Sequence, residues 1–173
     1  MKHSYMKVIG ITLLAVVLLT LSTQILVSAQ SVFNEEKREE QSREHSDKLV
    51  GVWNVQVTRL NCQTGEVIAT VPAMLTYMQG GTMIDWGTGN SPSLRSVGQG
   101  VWRHQVGRRY ISAFQFFRFN ADGTLAGRQI VRTQIVLSPD GNSLTNTAMA
   151  QILDVNGNVI GTNCSTATAT RFE

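Results

Sequence analysis

From residue 49 to residue 173 the chain contains no lysine, and histidine and cysteine are nearly missing as well. His104 is the single histidine of that stretch, and Cys62 and Cys164 are the only cysteines of the protein. A zinc centre takes about four nitrogen, sulfur or carboxylate ligands, which this set does not supply, so no metal is expected. A Ser/His/Asp arrangement would have to run through His104. Its neighbours Arg103, Gln105, Gly107, Arg108 and Arg109 read as a solvated turn, so no catalytic residue is assigned. An excess of one charge is lacking too. Fifteen Lys and Arg fall to thirteen once Lys2 and Lys7 of the N-terminal segment are set aside, against twelve Asp and Glu. A nucleic-acid-binding face calls for a clustered basic excess, so no nucleic-acid partner is expected. No sequence feature calls for a cofactor.

One long apolar run is present, at the very start. Residues 1–7 carry Lys2 and Lys7, residues 8–27 are largely apolar, and Val27, Ser28 and Ala29 offer small residues before Gln30. That order reads as a secretory signal peptide over 1–29. The competing reading is a retained anchor, since about 20 apolar residues span a bilayer. Thr12, Thr20, Ser22, Thr23 and Gln24 dilute the run and favour cleavage, with no stable membrane insertion afterwards. Residues 30–48 are a charged spacer with only Val32 and Phe33 as large apolar groups, too few to build a buried face, and are expected to be a disordered tether. Two cysteines in an exported chain predict a Cys62–Cys164 disulfide and a secreted or periplasmic location.

Residues 49–173 change character abruptly. Val, Ile, Thr and aromatics are frequent, and Gly-containing turn signals recur at Thr64-Gly65, Gly80-Gly81, Gly107, Asp122-Gly123, Asp140-Gly141 and Asn156-Gly157. Between them the apolar period is two. In residues 49–58, Leu49, Gly51, Trp53, Val55 and Val57 share one side. Strands are predicted over 49–58, 67–78, 82–86, 99–104, 109–119, 124–137, 143–155 and 159–172. The fold class is all-β, an antiparallel up-and-down barrel of about eight strands, a number that closes around packed side chains or one small ligand. If Trp53 of the first strand faces Arg171 of the last, antiparallel register sets Thr162 opposite Cys62, two residues from Cys164. A short loop absorbs that offset and closes the disulfide.

Gly51-Val52-Trp53 resembles the Gly-X-Trp signature of the lipocalin/calycin barrels. In that resemblance an arginine near the end of the final strands covers the tryptophan at the closed end, and Arg171 holds the matching place. Gly51, Trp53 and Arg171 are then structural, and the resemblance implies a lipocalin-like barrel that binds small, mostly apolar molecules. The short segment 59–66 and the absence of a C-terminal helix depart from the lipocalin pattern.

The expected ligand is therefore a small hydrophobic molecule, and the lumen candidates are Val55, Leu75, Tyr77, Trp86, Phe117, Gln129, Thr133 and Met149. Asp85, between Ile84 and Trp86, reads as an outward residue of a short strand, with a buried acid near the mouth as the alternative. Arg128 and Arg132 share one strand face; they read as outward, with an inward anion clamp as the competing view. Residues 114–119 carry aromatics on both faces, which suggests a homodimer contact. Two other functions stay open. One is a barrel isomerase or cyclase of the allene oxide cyclase-like or dirigent-like kind, shaping its substrate with groups such as Gln129, Thr133 and Tyr77. The other is a filled barrel acting as a protein-interaction module.

Overall fold

A computed structural model of the chain describes Lys37 and residues 48–173. The segments expected to be a signal peptide and a tether lie outside the described residues, apart from Lys37 and Lys48. Eight strands follow one another: β1 (Gly51–Leu60), β2 (Val67–Tyr77), β3 (Thr82–Gly87), β4 (Gly98–Val106), β5 (Arg109–Phe119), β6 (Leu125–Leu137), β7 (Ser143–Leu153) and β8 (Val159–Arg171). A 3-10 turn, Pro92–Leu94, sits in the connection between β3 and β4. Each strand pairs antiparallel with its neighbours in the chain, and β8 returns to β1, so the sheet is a closed up-and-down barrel. Closure leaves no sheet edge unpaired. Among the described residues no helix is long and apolar enough to cross a membrane.

The alternation seen in the sequence becomes the inside and outside of the wall. Trp53, Val55 and Val57 face the lumen from β1, opposite Leu75, Ala73 and Val71 of β2. Asn54 and Gln56 between them are exposed. The seam has Trp53 opposite Arg171 and Leu60 opposite Cys164. The register shifts between Arg59 and Leu60 on the β2 side, and the chain then turns so that Cys62 reaches Cys164. These two form a disulfide with their α-carbons 5.2 Å apart and 102 residues between them in sequence. Pro72 does not break β2. It sits opposite Gln56 with its face outward, and its carbonyl accepts bonds from the Thr88 amide and hydroxyl.

One end of the barrel is solid. Leu49, Trp53, Tyr77, Met83, Trp102, Tyr110, Ile135, Leu137 and Leu144 pack there, all buried. The Trp53 indole N–H donates to the Leu49 carbonyl at 3.0 Å, so the ring is buried without an unpaired donor. Arg171 lies over that ring, its guanidinium carbon 4.4 Å from the ring centroid. The same guanidinium donates to the carbonyls of Val50 at 2.7 Å, Lys48 at 2.7 Å and Gly141 at 3.0 Å. Gly51 (φ +137°) makes room for it, because a β-carbon there would lie 2.6 Å from the Arg171 Nη1.

Candidate functional site

The other end is open. A cavity of about 320 Å³ runs from the middle of the barrel to the mouth formed by the ends of β1, β3, β5 and β7 and the starts of β2, β4, β6 and β8. Small side chains create it. Ala148 and Ala150 of β7 and Ser165 and Ala167 of β8 stand where larger groups would fill the space. On the β4 wall, Gly98 has no side chain because a β-carbon would meet Asp85 Oδ2 at 2.9 Å and Phe114 at 3.1 Å.

Polar groups ring the lumen at mid-depth. Ser112 and Thr133, opposite one another on β5 and β6, share a hydrogen bond of 2.6 Å and are buried. Asn146 of β7 and Asp85 of β3 are buried as well. The Tyr77 hydroxyl is buried without a hydrogen-bond partner among the described residues, and burial pushes the phenol above its ordinary value. Asp85 is 6% exposed and forms a salt bridge with Arg95, which follows the 3-10 turn and reaches back into the lumen. Burial raises the Asp85 carboxyl above its ordinary value, and the charge and hydrogen bond of Arg95 oppose that rise. The Arg95 guanidinium also covers the Phe116 ring at 3.8 Å. The outward reading of Asp85 is therefore corrected: it points in, opposite Leu75 of β2.

Of the lumen candidates, Val55, Leu75, Gln129 and Thr133 line the cavity. Tyr77 faces inward beneath it, in the packed end. Three others are corrected, because Trp86 is 50% exposed, Phe117 52% and Met149 61%, all on the outer wall. Trp86 is displaced by the inward Asp85 beside it, and Phe117 by Phe116, which takes the inner face of β5. Met149 lies between Ala148 and Ala150, the two small residues that keep the lumen open. Arg128 and Arg132 are exposed, with Arg132 bonded to Gln151 at 3.0 Å. His104 bonds the Gly107 carbonyl at 2.8 Å and stacks edge-on against Tyr110. Asn163, which formally begins a glycosylation pattern, lines the cavity.

Three lumen arginines escaped the sequence reading. Arg59 and Arg118 hold the inward parity of their strands, in step with Val57 and Phe116, so the period-two pattern carried that signal. Arg95 sits in a loop where no periodicity applies. A second concavity, about 740 Å³, lies on the outer wall across β7, β8, β1, β2 and β3, between Thr145, Thr168, Gln56, Pro72 and Trp86. None of the residues that line it is charged. Among the described residues no group of three or more His, Cys, Asp or Glu could hold a metal. Compared with known proteins, the chain matches no family model, and no curated protein matches it either.

Proposed function

We propose that this is an exported β-barrel that binds a small hydrophobic ligand in its lumen. The observation that carries the reading is the cavity itself. It is closed below by the Trp53 plug, open above, and walled by Val55, Val57, Leu75, Phe114, Val131 and Ala167. Its volume of about 320 Å³ falls at the lower end of ordinary ligand pockets, roughly 300–1,000 Å³. Export rests on the leader-like residues 1–29 and on the disulfide, a bond that persists in oxidising compartments. The Gly51-Trp53-Arg171 arrangement adds a lipocalin-like character to the reading. The test is a titration with N-phenyl-1-naphthylamine, a neutral probe that fluoresces in apolar surroundings. Saturable binding to the native protein, lost in a folded Ala148→Phe variant whose ring enters the lumen, is the expected result. Absence of saturable binding to this and to other apolar probes would refute the reading.

A second reading, a barrel isomerase or cyclase, draws on the ring of Asp85, Ser112, Thr133 and Asn146 around the same lumen. It requires conversion of a bound unsaturated or epoxide substrate, detected by mass spectrometry and chiral chromatography. Substrate recovered unchanged, with the racemate left racemic, leaves binding alone. The filled-barrel module finds no support in an open lumen.

A further inference from the structure

The lining of the lumen is not neutral. The charged residues that line the cavity are Arg59, Arg95, Arg118 and Asp85. Asp85 is engaged by Arg95, so that pair cancels. Arg59 and Arg118 remain. Each is half-buried, each is the last inward residue of its strand at the mouth, and among the described residues neither has an ion pair or a side-chain hydrogen bond. In a closed ring of eight strands, β1 and β5 stand on opposite walls. The two guanidiniums therefore enter the opening from opposite sides, above apolar walls.

Two like charges held at one low-dielectric opening repel each other and raise the local potential, and an anion placed between them relieves both effects. A guanidinium presents a fork of N–H donors that matches a carboxylate or phosphate. Below the mouth the cavity of about 320 Å³ has room for roughly ten water-sized groups at about 30 Å³ each. We propose that the ligand is a small amphiphilic anion whose head group sits between Arg59 and Arg118 at the mouth, with a short apolar body in the lumen below. The proposal rests on the binding function above and narrows its ligand class.

The test displaces N-phenyl-1-naphthylamine with two ligands of equal chain length, decanoate and 1-decanol, at neutral pH. Decanoate is expected to compete at a concentration about tenfold lower or more, the scale of one charge-assisted hydrogen bond. Arg59→Gln and Arg118→Gln should each shrink that preference while leaving 1-decanol unchanged. Both variants should keep the native melting midpoint, since neither side chain bonds the rest of the protein. In the unaltered protein the preference should fall as salt rises, which reads the same interaction without a substitution. Equal competition by both ligands overturns the head-group assignment and leaves the binding function standing. A preference that survives both Gln variants and is insensitive to salt also overturns it. Failure of the probe and of both ligands to bind defeats the underlying function instead.

Discussion

Removing the Arg171 side chain should destabilise the barrel more than a lone surface arginine would suggest. Its guanidinium donates to three backbone carbonyls, those of Lys48, Val50 and Gly141, and covers Trp53 at 4.4 Å. Hydrogen bonds to a charged partner contribute about 1.5–3 kcal/mol each, but those to Val50 and Gly141 are only partly buried and that to Lys48 is exposed, so water can replace some of them. A cation–π contact adds about 0.5–2 kcal/mol. Arg171→Ala is thus expected to cost about 2–4 kcal/mol. Arg171→Lys keeps the charge but not the fork and should fall between. Trp53→Ala empties a fully buried site and should cost about 3–5 kcal/mol. The double variant should fall short of the sum by about 1 kcal/mol, because residues in contact couple. Urea melts of the oxidised proteins, followed by circular dichroism, measure all four corners. An Arg171→Ala cost under about 0.5 kcal/mol, typical of an exposed surface site, or strict additivity, would show that Arg171 is not a clasp on the closed end.

Thiol titration of denatured, unreduced protein should find no free thiol. Cys62→Ser with Cys164→Ser should cost up to about 4.7 kcal/mol for a loop of 102 residues. Two titratable thiols would remove the staple. Arg95→Met should cost about 3–5 kcal/mol by stranding a buried carboxylate, and pairing it with Asp85→Asn should recover much of that loss in the same melts. No recovery would mean that the pair is not the reason for the cost. Asp85 also sets a pH slope. Its folded value is raised by burial, so between its ordinary and its raised value the unfolded chain is ionised while the folded one is not. The stability of the native protein relative to Asp85→Asn should therefore decline as pH rises from about 4. The opposite slope would show Arg95 outweighing desolvation. Asp122, Asp140 and Asp154, lowered by hydrogen bonds in their turns, contribute stability that is present above the ordinary carboxylate range and lost on acidification, in the native protein and in Asp85→Asn alike.

Strand order and register were legible because period two and turn glycines are local signals that agree with one another. Residues 109–119 match β5 at both ends, and the Trp53–Arg171 pairing holds along the whole seam. Inside and outside were harder to read where both faces carry bulk. Apolar weight favours Trp86 over Asp85, Phe117 over Arg118 and Met149 over its alanine neighbours, and all three choices fail. An open lumen selects for small and polar inward residues, so the heaviest apolar residue of a strand is free to lie outside. Arg95, which makes the inward Asp85 tolerable, joins it from a loop ten residues away, beyond the reach of strand periodicity.

The β1–β8 seam also governs when the barrel can form. β1 has one partner, β2, close in sequence, while its other partner is separated from it by the whole of the intervening barrel. Such long-range pairing slows folding, because loop closure comes before the contacts that reward it. Until β8 arrives, β1 and β7 each expose an open edge able to recruit a strand from another chain. A chain delivered from its N-terminus through a translocation pore would carry those edges until its last strand emerged. The Cys62–Cys164 bond forms where that last contact is made, so oxidation would lock the ring after assembly and keep its two ends from parting again.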